Sequence, residues 1–472
     1  MPATQKKFRS WNPKQYASTP ITPAAILPED DLVFFLIDLV PQLDLAPIYA
    51  HYERETRGAP PFDVAMMTTL LVYAYCVGVF SSRKMASACE RNVAFLAIVG
   101  QQRPDFRSIS DFRKIHLDAL AGLFVEVLQI AGELGLVKLG NLALDGSKVR
   151  ANASRHKAMS YGYMTKEVER LRAEIAALLQ QAEQLDAEQD AALGSRRGDE
   201  LPDELGRRES RLQAIEEAMT RLEQEAREKA DAQRAAREEA DAQREAAGKK
   251  RCGREPKPIS DQPEEKAQTN FTDPESKIMK TSNKGFDYCY NGQAVVDEEA
   301  QIIVAADVTA AANDQQQASP LGQQTKENLA AAGIETPTAE DGSPAAIPLS
   351  ADTGYFSAEN VGQLESQGFD PYIATGRQKH NQGLPSGIED NDQPDPDATA
   401  KQRMSHKLRT ESGRARYAKR KHIVEPVFGQ IKQARGFRQF LLRGLPKVRG
   451  EWKLVCLTHN LLKIWRYRYA LS

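Results

Sequence analysis

The chain lacks an apolar run long enough to span a membrane. Such a run needs about 20 apolar residues, and the longest here, Leu32 to Val40, is interrupted by Asp38 and closed by Pro41. A basic start, apolar core and small-residue cleavage site are also missing, so no secretory leader is expected. Cysteine is scarce. Cys76, Cys89, Cys252, Cys289 and Cys456 form no CxxC pair, which leaves structural zinc without its usual ligands. An odd, scattered set fits free thiols in a reducing compartment. The seven histidines show no HExxH or similar spacing. These absences lead us to expect a cytoplasmic protein.

Net charge is nearly absent too, at −2 over 472 residues. That total conceals an asymmetry. Residues 401–472 hold 19 Lys and Arg against three acids, Glu411, Glu425 and Glu451, a net of +16. The other 400 residues therefore carry −18. One basic end on a neutral chain suggests a localised polyanion site.

What is present divides along the chain. Length alone suggests two or three domains, and 41% hydrophobic residues can furnish their cores. Residues 1–28 are polar and Pro-rich, a flexible tail. Residues 29–135 show apolar spacings of three and four, the pattern of a helical domain. Pro60 and Pro61 mark a helix start, and Ser110 is a candidate N-cap for a helix through the 120s. Arg83, Lys84, Arg91, Arg103, Arg107, Arg113 and Lys114 give that domain a basic edge.

Strand character runs from Leu142 to Val149. Residues 166–247 are rich in Ala, Glu, Gln and Arg. Val168, Leu171, Ile175, Leu178, Ala182 and Leu185 repeat at three and four, as do Leu212, Ile215, Met219, Leu222 and Ala226. Gly194, Gly198 and Pro202 lie between the two series. The pattern predicts an antiparallel coiled-coil hairpin. Its 22 acids against 14 bases make it a poor DNA surface, so scaffolding is the expectation. Residues 248–270 form a linker.

Strands resume with YNGQAVVDEEA and QIIVAADVTA, a hairpin turning at 297–300. A helix is expected over 313–332, then a strand at IPLSAD, a helix ending at Gly368 and a strand at PYIATG. Residues 378–400 read as an exposed loop, and helices run from Gly413 to Tyr469. Strands mixed with helices imply an α/β mixed sheet.

Three acids stand out against this organisation. Asp145 in LALDGSKVRANAS and Asp352 in IPLSADTGYF each end an apolar run that reads as a buried strand. Glu425 lies in KRKHIVEPVFGQIK, a basic helical stretch. Tyr417, Lys421, Glu425, Phe428 and Lys432 are spaced to share one helix face, and Pro426 implies a helix start or kink. An Asp at a strand end is often only a turn residue, and a helix Glu among bases is often an ordinary ion pair. Joint context raises all three. Two strand-end aspartates and a helix glutamate are what an RNase H-like fold needs to hold two divalent metals, the clamp that stabilises both oxygens of a phosphodiester displacement.

These segments, with SSRKMASACERNVAF, RPDFRSISDFR, NFTDPESKIMK and GFDYCYNGQAVVD, resemble in order the DDE transposases of bacterial insertion sequences, in the branch around insertion sequence 1182. The resemblance covers nearly the whole chain. It implies an RNase H-like catalytic domain over 136–165 and 271–472, interrupted by the coiled-coil insertion, behind a helical N-terminal domain that binds DNA or dimerises. It implies Asp145, Asp352 and Glu425 as metal-binding catalytic residues, with two Mg²⁺ ions for which Mn²⁺ substitutes. The family's Tyr, basic, Glu, Lys signature corresponds to Tyr417, either Arg420 or Lys421, Glu425 and Lys432. Arg435 and Arg438 extend this DNA-binding set. The implied partners are double-stranded DNA, as terminal inverted repeats and target, and a second copy of the chain in a paired-end complex. A non-catalytic DNA-binding protein derived from a transposase is the alternative.

Overall fold

The computed structural model describes residues 9–12, 22–54, 59–100, 102–193, 203–246, 248, 258–281, 285–338, 342, 344–376, 389–390 and 392–470, with backbone only for 181–193, 203–205 and 243. Most of the expected tail, Cys252, most of the 378–400 loop, the Gly194, Gly198 and Pro202 break, and the side chains of Ala182 and Leu185 lie outside the described set. Two compact units are present: Met1–Asn152 with Ile278–Ser472, and Ala153–Lys277.

Seven helices come first: α1 (Leu32–Leu39), α2 (Ala46–Glu53), α3 (Val64–Cys76), α4 (Ser82–Arg91), α5 (Val93–Val99), α6 (Phe106–Ile115) and α7 (Leu117–Glu133). Strand β1 (Leu142–Arg150) follows, then β2 (Ala158–Ser160), α8 (Tyr161–Leu193), α9 (Asp203–Ala246) and β3 (Gln268–Asn270). Next come β4 (Lys277–Lys280), β5 (Phe286–Asp297), β6 (Ile303–Thr309), α10 (Ala318–Ala331), β7 (Ile347–Ala351), α11 (Ala358–Ser366) and β8 (Phe369–Ile373). Helices α12 (Ala400–Lys407), α13 (Glu411–Gly429) and α14 (Leu445–Ala470) complete the chain.

The first unit is α/β, built on a mixed sheet. Its strands run β4-β5-β1-β7-β8, with β6 also on β5. The β1–β5 and β5–β6 pairs are antiparallel, whereas β1–β7 and β7–β8 are parallel. Leu142, Ala143 and Leu144 are completely buried, as a central strand covered on both faces requires. Helix α14 packs on β6, α7 and α3 and buries Trp452 against the sheet. Gly292 accommodates that ring, because a Cβ there would lie 3.0 Å from the indole.

Several helix boundaries depart from expectation. Asp105, not Ser110, caps the helix at 106–115; its carboxylate accepts from Arg107 N and Ser108 N, and Ser110 lies mid-helix. Helix α3 starts at Val64 behind Asp63, whose side chain accepts from Met66 N, three residues beyond the two prolines. Helix α12 precedes the expected start at Gly413 and is held by a Thr399–Gln402 capping box, a signal present in the sequence. The apolar stretch of α1 is spent internally: Leu32, Val33, Phe35, Leu36 and Ile37 are buried.

In the second unit α8 and α9 pack through Met164, Val168, Leu171, Ile215, Ala218 and Leu222. Pairs Glu174–Arg208 and Arg172–Glu216 and a hydrogen bond from Tyr161 to Glu223 run in opposite order along the two helices, so they are antiparallel. The first helix begins five residues before the expected 166.

Candidate active site

The strand expected over Leu142–Val149 is present as β1 and runs to Arg150 because β5 pairs with it throughout, so Asp145 ends the apolar run but not, as also expected, the strand. The other edge of β1 is different. There β7 pairs only with Leu142, Ala143 and Leu144, ending at Leu144 opposite Ala351. Asp145 and Asp352 are the next residue on each of these parallel strands, so the register sets them side by side. Asp352 caps a short 3₁₀ turn, its Oδ1 accepting from Gly354 N at 2.9 Å.

Asp145 is held in conflicting surroundings. Burial pushes its carboxyl up, Arg420 opposes, Asp352 pushes up again, and the result is raised to about 6. Arg420 Nη1 donates to Asp145 Oδ2 at 3.1 Å. Burial works against the charge on Arg420, but Asp145, Tyr417 and Asp352 outweigh it and its pKa is raised. The structure thus distinguishes the two basic candidates. Arg420 is buried beside Asp145 and approaches the Tyr417 ring at 5.9 Å, while Lys421 is exposed.

The five residues spaced to share a face on α13 do not share one environment. Phe428 is buried and stacked on Trp452, Lys421 and Glu425 are exposed, and Tyr417 and Lys432 are half-buried. A π-helical turn at Gln430–Ala434 breaks the α-helical count before Lys432. Lys432 Nζ donates to Ser147 Oγ and to Lys148 O at 2.7 Å, and burial lowers its pKa to about 8. Pro426 neither starts nor ends α13. Proline offers no N–H to the carbonyl four residues back, and that carbonyl, of His422, instead accepts from Gln301 Nε2 at 3.0 Å.

Two expected DNA contacts face inward. Arg435 is 8% exposed and donates to Val455 O and Thr458 Oγ1, so its guanidinium is spent within the core. Arg113, assigned to the basic edge, is 5% exposed and donates to Tyr75 and Phe80 O. Tyr75 in turn donates to the buried Glu451. Arg438 is exposed, with Nε on Lys432 O.

Asp314 escaped the sequence reading. It follows β6 by five residues, in a stretch without apolar periodicity. Its Oδ1 accepts from Asn291 Nδ2 and, at 2.8 Å, from Gln293 Nε2. Tyr355 donates to Gln293 Oε1. A Cβ on Gly354 would lie 3.0 Å from Asp352 Oδ1 and 3.5 Å from Asp314 Oδ2. The two carboxylates therefore border the same glycine.

Adjacent carboxylates, as hard oxygen ligands, suit a magnesium-like ion that keeps several waters. The buried charge of Asp145 and its repulsion by Asp352 fit such a cation. Glu425 does not close on the pair, and among the described residues no three His, Cys, Asp or Glu come together tightly enough to hold a metal by themselves.

Comparison with known families gives the class. A family described as Transposase domain (DUF772) matches residues 22–115, and one described as Transposase DDE domain matches residues 393–465. The chain is a transposase. More narrowly, the two domains together mark it as an insertion-sequence DDE transposase. No curated protein and no solved structure matches the chain. Among the described residues no single helix is long and apolar enough to cross a membrane.

Proposed function

We propose that this transposase cuts and joins DNA at the terminal inverted repeats of an insertion sequence, using Asp145, Asp352 and Glu425. The observation that carries the reading is the register that sets Asp145 beside Asp352. The strand order β6-β5-β1-β7-β8, three antiparallel strands followed by two parallel ones, supports an RNase H-like catalytic domain. Pairing a helical transposase domain with a DDE domain fits the insertion-sequence 1182 branch.

Asp145 and Asp352 would hold divalent metal, with Glu425 as third carboxylate; Mg²⁺, or Mn²⁺ in its place, supplies charge stabilisation to the attacking and leaving oxygens. The chain's own part is positioning and charge. The proposed reaction is hydrolysis at the element end, followed by attack of the freed 3′ hydroxyl on a second phosphate, with no covalent protein intermediate. Lys432 donates to Ser147 and Lys148 of β1, close to Asp145, and would meet a phosphate near the cut. Tyr417 and Lys421 on α13, and Arg438 beyond the π turn, would extend the DNA track. In the N-terminal helical domain Arg83, Lys84, Arg91, Arg103 and Arg107 would set register on the repeat by phosphate contacts.

The α8–α9 pair is read as a coiled-coil hairpin that makes protein contacts in a homodimeric paired-end complex. Full transposition after deletion of 166–247 would remove that role. The protein would work in the bacterial cytoplasm, on the nucleoid.

The test is strand cleavage on labelled DNA carrying the element's own end, with Mg²⁺ or Mn²⁺. Metal-dependent cutting at the end is expected. Binding without cutting would mean a non-catalytic DNA-binding protein derived from a transposase, and absence of binding would undo the assignment of DNA ends.

A further inference from the structure

Asp314 is held for a purpose that its local structure does not use. It immediately precedes the 3₁₀ turn Gln315–Gln317, where a carboxylate commonly caps, yet its side chain makes no cap hydrogen bond. Its one ion pair among the described residues is long, with Lys148 Nζ at 3.8 Å, and that ammonium also donates to Ala312 O at 2.9 Å. Instead two amides from β5, on Asn291 and Gln293, fix it, and Tyr355 fixes Gln293. Trp452 Nε1 anchors the backbone of Gln293 at 2.9 Å.

A second, independent feature lies in the same place. Asn291 is completely buried, and its Oδ1 has no hydrogen-bond partner. That oxygen and Asp314 Oδ1 each lie 2.9 Å from the Cβ position of Gly146, the residue after Asp145. A buried acceptor without a donor costs free energy. Here the lone oxygen and an acid converge beside Gly146, next to Asp145 and around the Gln293 amide, as they would toward a donor such as metal-bound water.

We propose that Asp314 is a positioning residue of the acidic site: an outer carboxylate that strengthens the hold of Asp145 and Asp352 on a hydrated divalent cation, with Asn291 Oδ1 accepting from its water. This rests on the transposase reading of the Asp145–Asp352 pair. Its chemistry is ordinary for metal sites, where outer partners fix the first ligands and their loss costs roughly 10–100-fold in metal affinity.

The test is Mn²⁺ titration of the full chain, with free Mn²⁺ followed by electron paramagnetic resonance and no DNA present. Asp145→Asn serves as control, and thermal melts accompany each variant. Asp314→Asn keeps an acceptor for both amides, and Asp314→Ser removes the charge with a smaller side chain. The expected result is loss of binding in Asp145→Asn and an affinity lowered roughly 10–100-fold in either Asp314 variant that melts as wild type. Wild-type affinity in a folded Asp314 variant, with Asp145→Asn defective, would overturn the role of Asp314 alone. Equal binding by wild type and Asp145→Asn would instead overturn the site reading beneath it.

Discussion

Replacing Asp145 with Asn should stabilise the protein while abolishing its chemistry. The carboxyl is raised from an ordinary 3.8 to about 6, by burial first and by Asp352 and Asp314 after the opposing pull of Arg420. A folded pKa above the unfolded one means that the native state holds its proton longer. Stability contributed by this group is therefore full at low pH and is lost as pH rises between the two values. A displacement of about two units corresponds to about 3 kcal/mol of destabilisation at pH 7.5. Asparagine resembles the protonated acid in shape and carries no charge, so it escapes that cost; the attraction to Arg420 is already counted in the shift. Differential scanning fluorimetry, without divalent metal, should show the Asp145→Asn protein melting on the order of 5 °C higher at pH 7.5. The gain should fall to about half at pH 5, where wild type is largely protonated. A lower melting temperature for the variant at pH 7.5, or a difference independent of pH, would refute the reasoning.

Lys432 has a pKa lowered to about 8 by burial, so its charge is present below that pH and fades above it. If it meets phosphate, the salt dependence of DNA binding should become shallower by about one unit of log–log slope between pH 7 and pH 9. Lys432→Arg should keep its slope, and anisotropy titrations at several salt concentrations distinguish the cases. Glu451→Ala leaves the Tyr75 hydroxyl and two backbone N–H groups, of Leu441 and Leu442, without their buried acceptor, and Arg113 without a nearby opposite charge. It should cost about 3–5 kcal/mol, read as a large drop in melting temperature; adding Arg113→Met should recover part of it, and simple additivity would contradict the coupling. Gly146→Ala presses a methyl against Gln293 Nε2 and to 2.9 Å from Asn291 and Asp314. A loss of about 1–3 kcal/mol in denaturation is expected, with cleavage lost as well; wild-type stability would contradict the packing.

The parts legible in sequence are those written as pattern. Apolar runs ending at Asp145 and Asp352 announce buried strands, and the register then makes the acids neighbours. The repeats of 166–247 announce two long helices. What pattern does not carry is direction. Arg113 and Arg435 look like surface charge in a list of residues, and only tertiary packing turns them inward onto Tyr75 and Val455. The count along α13 fails at Lys432 because a π turn, invisible to a fixed period, intervenes. Pro426 looks like a break because the donor that serves the His422 carbonyl in its place, Gln301, lies far away in sequence. Asp314 gives no signal, since it lies in a connection and its companions Asn291 and Gln293 belong to β5. Arg420 and Lys421 are equivalent by spacing and separate only when the helix is laid on β1.

The central claim is that the Asp145–Asp352 pair is the seat of phosphoryl transfer. It is tested most directly by single-turnover cleavage of the element's own labelled end in Mg²⁺, comparing wild type with Asp145→Asn, Asp352→Asn and Glu425→Gln, with DNA affinity measured in parallel. The account predicts at least about 10³-fold slower cutting for all three, as expected when a metal's several kcal/mol are withdrawn, with binding retained. An Asp352→Asn protein that cuts at close to the wild-type rate would contradict it.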